Sequence, residues 1–122
     1  MRVLITGSRY FTDYGIVSAA LRAEWVRGEP MTVIHGCAQG ADQLAHQIAD
    51  ENWHLGIHPE PHPAKWRRDG KAAGFIRNQE MISSGADVCL AFFKEGAGNR
   101  GTADCAGRAA KAGIPVKEFW QR

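Results

Sequence analysis

The chain has 122 residues, of which 44% are hydrophobic and 23% are charged, and its net charge at neutral pH is +2. This length and composition predict a single globular domain over residues 1–122, and the small charge argues against bulk attraction to nucleic acid. No apolar stretch is long enough to span a membrane, and the N-terminus lacks the pattern of a signal peptide, so we expect a cytoplasmic protein. Three cysteines without a Cys-x-x-Cys pair argue against a disulfide framework.

Strand-like and helix-like segments alternate along the chain, which is typical of a parallel sheet built from βα units. The predicted strands are Arg2–Thr6, Thr32–His35, about His54–His58, Asp87–Phe93 and Ile114–Phe119. The predicted helices run from the N-cap Asp13 to about Arg27, from about Gly40 through Ala49, from about Ala72 to Ser84, and from Gly101 to Ala112. Together these elements predict an α/β fold, a doubly wound domain with a mainly parallel five-stranded sheet and helices on both faces. The strand order should reverse between the first and fourth strands.

The segment after the predicted third strand contains three alternating prolines, Pro59, Pro61 and Pro63. Proline cannot continue a helix and does not fit the inside of a sheet, so we expect an extended surface segment, followed by an irregular basic stretch over residues 64–71. Two histidines, His58 and His62, continue a spacing of four that begins at His54, but the prolines forbid the helix that would align them, and we expect no metal site. A Walker loop and a Gly-x-Gly-x-x-Gly motif are absent, so no cofactor of these classes is expected.

Three of the apolar strands end directly in a glycine-containing turn with polar or basic residues. These turns are Gly7-Ser8-Arg9, Gly36 to Asp42, and Gly96 to Thr102. Ligands of parallel sheets bind outside the carboxyl ends of the strands, where glycines let the backbone approach and helix N-termini attract anions. The pattern predicts one nucleotide-like ligand held by backbone groups and arginines. The candidate ligand-binding residues are Gly7, Ser8, Arg9, Gly36, Ala38, Gly40, Asp42, Arg77, Asn78, Gly98, Arg100, Gly101 and Thr102.

Several of these residues have an alternative interpretation that is purely structural. Asp42 fits the first turn of a helix, but it follows a glycine loop of the nucleotide-binding type and can instead accept hydrogen bonds from a pair of ribose hydroxyls. Thr102 can cap the helix that begins beside it, or donate its hydroxyl to a phosphate. Trp66, in the basic stretch, can stack on a base or anchor a loop. Spacing alone leaves these alternatives open.

Four short motifs, in this order and at this spacing, resemble the YspA and YpsA-related branch of the SLOG superfamily. They are Gly7-Ser8-Arg9 with Phe11 and Asp13, Gly36-x-Ala38-x-Gly40-Ala41-Asp42, Arg77-Asn78-x-x-Met81, and Arg100-Gly101-Thr102. The superfamily also contains the DNA-processing protein DprA and the lonely-guy phosphoribohydrolases. The resemblance implies a Rossmann-like domain that binds a nucleotide or nucleotide-derived ligand, such as ADP-ribose or a nucleoside monophosphate. It also implies that a homodimer or larger homo-oligomer can form.

The chain departs from the lonely-guy enzymes at the residue that assists their chemistry. Their glycine-rich loop leads to a glutamate that helps to cleave the N-glycosidic bond, and Cys105 stands at that place here, with Asp104 one position early. The leading hypothesis is therefore a binding or sensing domain. A second hypothesis is a nucleoside 5′-monophosphate N-glycoside hydrolase whose catalytic carboxylate is Asp42 or Glu80. A third is a DprA-like module that binds single-stranded nucleic acid through the basic segment 65–77.

Overall fold

Five parallel strands form one sheet in the computed structural model, which describes residues 1–122. The strands are β1 (Arg2–Gly7), β2 (Met31–His35), β3 (Ile57–Pro61), β4 (Val88–Lys94) and β5 (Val116–Gln121). The helices are α1 (Tyr14–Glu24), α2 (Ala41–Glu51), the short α3 (Trp66–Asp69), α4 (Ala73–Ser84) and α5 (Arg100–Lys111). Every pair of neighbouring strands is parallel, and their order is β3-β2-β1-β4-β5. The order reverses between β1 and β4, as predicted.

Helices cover both faces of the sheet, which confirms the prediction of a Rossmann-like, doubly wound α/β domain. Helices α1 and α2 pack on one face, where Val3, Ile5 and Phe92 belong to a cluster of 16 buried hydrophobic residues. Helices α4 and α5 pack on the other face, where Leu4 and Ile34 belong to a cluster of eight. Because side chains alternate between the faces of a strand, a central strand that is buried on both faces is apolar at every position.

Two helix ends agree with the signals that predict them. Asp13 caps α1 by accepting the Ile16 N–H at 3.1 Å, and Gly85 ends α4 with a φ of +88°, a conformation that glycine adopts without strain. Helix α1 ends at Glu24, three residues before the predicted end at Arg27. Trp25 there is extended and packs against the core cluster beneath the helix. The helix therefore ends where the backbone of Trp25 becomes extended, before the glycine that follows.

The bounds predicted for the third strand, and the exclusion of its prolines from the sheet, were wrong. Residues Trp53–Leu55 form a 3₁₀ turn, and β3 begins at Ile57 and includes Pro59 and Pro61. Strand β3 is an edge strand that pairs with β2 alone. The His62 N–H donates to the His35 carbonyl at 2.8 Å, so alternate residues face β2 and the two proline nitrogens face the open edge. No ladder hydrogen bond is lost there, which is why an edge strand tolerates proline.

Smaller differences concern the basic stretch, the last strand and the cysteines. The stretch 64–71, predicted to be irregular, contains α3. Strand β5 begins at Val116 instead of Ile114, because the Ile114 N–H donates to the Ala109 carbonyl at 2.9 Å and completes the turn after α5. All three cysteines are free thiols. A helix with the length and apolar character needed to cross a membrane does not occur.

Candidate functional site

A cavity of about 180 Å³ lies at the carboxyl edge of the sheet, where the strand order reverses between β1 and β4. Helices α2, α4 and α5 all begin at this edge, because each follows a strand that ends there. The cavity is lined by Ile5, Thr6, Gly7, Arg9, Ala38, Asp42, Arg77, Asn78, Met81, Gly98, Gly101 and Thr102. Nine of the predicted ligand-binding residues are among them: Gly7, Arg9, Ala38, Asp42, Arg77, Asn78, Gly98, Gly101 and Thr102.

Asp42 is held by one of its carboxylate oxygens and presents the other without a partner. It is 5% exposed, and its Oδ2 accepts the Gly36 N–H at 2.9 Å and the Ala38 N–H at 3.3 Å. Its Oδ1 is buried and makes no hydrogen bond. Burial raises the pKa of the carboxyl to about 6, although the two amides and the charge of Arg77 act in the opposite direction. The free oxygen is thus a fixed, poorly solvated acceptor in a residue that lines the cavity.

Thr102 provides a second unpartnered oxygen in the same cavity. It is 2% exposed, and its Oγ1 makes no hydrogen bond. The N-cap position before it belongs to Asn99, whose side chain instead bonds the Lys94 N–H at 2.9 Å and carbonyl at 2.7 Å. The first backbone bond of α5 is the Ala103 N–H to the Asn99 carbonyl, so the amides of its first turn are uncapped. These amides and the positive end of the helix dipole favour an anion at this place.

Arg77 forms a positively charged wall between α4 and the turn after β2. Its Nη1 donates to the Gly36 carbonyl, and its Nε donates to Asn78 Oδ1 at 3.0 Å. Asn78 is itself fixed, because its Nδ2 donates to Asp104 Oδ2 at 3.1 Å. A side chain at residue 36 would collide with this guanidinium, which explains the glycine there. Arg77 therefore holds a permanent charge at a fixed position beside Asp42.

Four predicted ligand-binding residues, Ser8, Gly36, Gly40 and Arg100, do not line the cavity. Ser8 is fully buried, and its hydroxyl accepts the Tyr10 N–H and donates to the Ala97 carbonyl, both at 3.1 Å. Gly40 has a φ of +79°, and a side chain there would collide with the backbone of the turn after β1. Arg100 lies over the Phe75 ring, 6.0 Å from its centroid. These residues lie outside the cavity lining and support or flank the turns that form it.

The candidate acids other than Asp42 also lie outside the cavity. Glu80 faces the surface, where its carboxylate contacts His62 Nδ1 at 3.0 Å. Asp104 is engaged with Asn78 and with Arg108, whose Nε lies 2.9 Å from Oδ2. Cys105 is completely buried, and burial raises the pKa of its thiol to about 11, so it stays protonated. Asp42 is the carboxylate that the structure places in the cavity wall.

Sequence reasoning missed the role of His35, which organises the turn that holds Asp42. Its ring is 3% exposed, and its Nδ1 accepts the N–H of Cys37, a residue with a φ of +61°. Its Nε2 lies 2.8 Å from Nδ1 of His46 on α2. Burial, with a smaller effect of His46, lowers the pKa of His35 to about 4, so the ring is neutral near pH 7. The sequence feature that could have indicated this role is a histidine at the end of an apolar strand, directly before a glycine turn. Three further lining residues, Ile5, Thr6 and Met81, were not among the predicted ligand-binding residues.

The fold and the cleft define a Rossmann-like α/β domain with a cationic cavity at the switch point of its sheet. A sequence model described as YAcAr, the YspA, cpYpsA-related SLOG family, matches residues 1–68. The Gene 61 protein of Mycobacterium phage D29 is 45% identical over 124 residues, which cover 97% of this chain and 95% of the phage protein. The chain belongs to the YspA, cpYpsA-related SLOG family, and membership suggests a nucleotide-related ligand-binding role. No solved structure matches the chain.

Proposed function

We propose that the protein binds a nucleotide or nucleotide-derived ligand, of the nucleoside monophosphate or ADP-ribose type, in the cavity between β1 and β4. The observation that carries this proposal is the pair of unpartnered buried oxygens, Asp42 Oδ1 and Thr102 Oγ1, which belong to residues lining the same cavity. A buried polar group without a partner costs about 1–3 kcal/mol. A ligand that supplies hydrogen bonds to both oxygens recovers that cost when it binds.

The charges in the cavity wall favour an anionic ligand. The charged side chains among the lining residues are two arginines, Arg9 and Arg77, and one carboxylate, Asp42. With Asp42 ionised, the wall keeps a net positive charge, and the uncapped first turn of α5 adds the positive end of a helix dipole. A phosphate is the group of a nucleotide that matches this field.

The polar groups that line the cavity favour different parts of the ligand. An ionised Asp42 accepts hydrogen bonds and repels phosphate, so we assign a sugar hydroxyl to Oδ1. The phosphate then lies toward Gly98, Gly101 and Thr102, where two residues without side chains leave the α5 amides accessible. Ligand pockets generally enclose about 300–1,000 Å³, so a cavity of about 180 Å³ holds the sugar phosphate and leaves the base at its mouth.

Calorimetric titration and thermal shift with AMP, ADP-ribose, ribose 5-phosphate and adenosine test the proposal. A ligand at 100 times its dissociation constant stabilises the fold by about 2.7 kcal/mol, and adenosine should bind far more weakly than AMP because it lacks phosphate. Asp42→Asn and Thr102→Val should weaken binding at least tenfold. Asp50→Asn on the surface of α2 and Thr32→Val on β2 are the matched controls, which should bind normally. Equal losses in the controls, or no binding by any phosphate-containing compound, would contradict the proposal.

Hydrolysis of the bound nucleotide is a second candidate function, favoured by the pKa of Asp42. A carboxyl with a pKa of about 6 suits proton transfer near neutral pH, and Asp42 is the carboxylate in the cavity wall. Water would add across the N-glycosidic bond, releasing the free base and ribose 5-phosphate. Chromatography of AMP after incubation should then detect adenine, which Asp42→Asn abolishes and Glu80→Gln preserves. If AMP binds but stays intact, the protein binds the nucleotide without hydrolysing it.

A further inference from the structure

Trp66 exposes an aromatic ring that no other ring covers. Its residue is 60% exposed on α3. The other exposed tryptophans have ring partners: Trp53 stacks on His58 with centroids 3.7 Å apart, and Trp120 stacks on Phe93 at 4.7 Å. Trp66 thus has a free face that the fold itself does not use.

The free ring stands near Arg77, which is one of the residues that line the cavity. A side chain at Gly74, in the first turn of α4, would place its Cβ 3.6 Å from Cη2 of Trp66 and 3.8 Å from Nη2 of Arg77. The indole ring and the guanidinium therefore flank the same small space. Because Arg77 also lines the cavity, the indole ring lies on the side of the cavity that Arg77 forms.

We propose that Trp66 stacks on the base of the nucleotide whose sugar phosphate occupies the cavity. The inference rests on the proposed function and adds the residue that recognises the base. The cavity is too small for a whole nucleotide, so the base has to lie outside it. Bases have flat faces, and removal of an aromatic platform by alanine substitution costs about 1–3 kcal/mol per stacked base. The adjacent Lys65 and Arg67 add positive charge near the same segment.

Titrations with AMP and with ribose 5-phosphate separate the base contact from the sugar phosphate contacts. Trp66→Ala should weaken AMP about tenfold or more and leave ribose 5-phosphate unchanged, since stacking acts on the base alone. Trp66→Phe should restore most of the AMP affinity because phenylalanine keeps a stacking face. Trp53→Ala removes a similarly exposed tryptophan that stacks on His58 of β3, and it should alter neither affinity.

Two kinds of negative result have different meanings. If the wild-type protein binds AMP and ribose 5-phosphate equally well, or if Trp66→Ala weakens both to the same extent, stacking is overturned while the proposed function stands. If the wild-type protein binds neither of these compounds nor ADP-ribose, both are overturned. As a second measurement, AMP should quench the emission of a Trp25→Phe, Trp53→Phe, Trp120→Phe triple variant, in which Trp66 is the remaining tryptophan, and ribose 5-phosphate should not. Equal quenching by both compounds would also overturn the stacking.

Discussion

The carboxylate of Asp42 accepts the Gly36 amide at 2.9 Å, which ties the first turn of α2 to the residue directly after β2. Burial at this position destabilises the carboxylate, because it removes water from the group and Oδ1 gains no hydrogen-bond partner. The arrangement lowers the stability of the unliganded fold and fixes an acceptor in the cavity wall. Replacement of Asp42 is therefore expected to raise the stability of the unliganded protein and to lower its affinity for the ligand.

Asp42→Asn should stabilise the unliganded protein at pH 8 and weaken ligand binding. The folded protein holds the Asp42 proton more tightly than the unfolded chain, with pKa values of about 6 and 3.8. The contribution of Asp42 to stability therefore falls as the pH rises from about 4 to 6, and at higher pH the penalty is on the order of 3 kcal/mol. Urea unfolding at pH 8 should show a gain of about 1–3 kcal/mol for the variant, because its amide is still partly unpartnered. A variant less stable than wild type at pH 8 would contradict this explanation.

As the pH falls, protonation of His35 should destabilise the fold, whereas protonation of Asp42 should stabilise it. The folded pKa of His35 is lowered from 6.5 to about 4, so its contribution is fully present above pH 6.5 and is lost as the pH falls toward 4. In the wild-type protein, the stability gained when Asp42 is protonated offsets the stability lost when His35 is protonated over the same pH range. Asp42→Asn should therefore lose stability between pH 7 and 4.5, and adding His35→Gln should flatten that dependence. Unfolding curves at several pH values provide the test, and a flat profile for Asp42→Asn would argue against a buried neutral His35.

Gly7→Ala should destabilise the fold, whereas Gly107→Ala should stabilise it. A Cβ at residue 7 would collide with the Ala41 side chain and lie 3.0 Å from the Phe92 Cβ, so α2 would have to move away from β1. Such overpacking costs about 1–3 kcal/mol. Gly107 lies in α5 with nothing within 4 Å of its Cβ position, and alanine there should gain about 1 kcal/mol from helix propensity. Denaturant unfolding measures both changes, and similar values for the two variants would refute the close approach at Gly7.

Ser8→Ala and Thr102→Val should separate a structural hydroxyl from a ligand-facing one. Loss of the Ser8 hydroxyl leaves the Tyr10 amide and the Ala97 carbonyl unpaired, which should cost about 1–3 kcal/mol of stability. The Thr102 hydroxyl has no partner, so valine should leave the unliganded stability unchanged or higher and reduce AMP affinity. Thermal unfolding with and without AMP distinguishes the two. A large stability loss in Thr102→Val would mean that its hydroxyl already has a partner in the fold.

The sheet could be predicted from sequence because its central strands are buried on both faces and read as continuous apolar runs. The bounds of strand β3 could not be predicted, since an edge strand needs only alternate hydrogen bonds and accepts prolines that would disrupt an inner strand. Its position depends on pairing with β2, which is a tertiary property that local sequence does not encode.

The candidate site could be predicted as a set of turns, but the direction of each side chain within those turns could not. Ser8 and Arg9 are neighbours in one turn, yet the first is fully buried and the second lines the cavity. Glu80 and Met81 are neighbours on α4, and the turn of about 100° between them places only Met81 in the cavity wall. The Asp42 carboxylate caps the preceding turn instead of its own helix, an arrangement that needs the folded position of Gly36.

Amide chemical shifts of the 13.4 kDa protein on titration with AMP test the central claim most directly, because they locate the ligand as well as detect it. We expect the largest shifts at Gly7, Ala38, Asp42, Gly98, Gly101 and Thr102, which line the cavity. Shifts confined to another surface, such as the groove between α1 and α2 that Leu21, Trp25 and Leu55 line, would contradict the account. So would the absence of any shift at millimolar AMP.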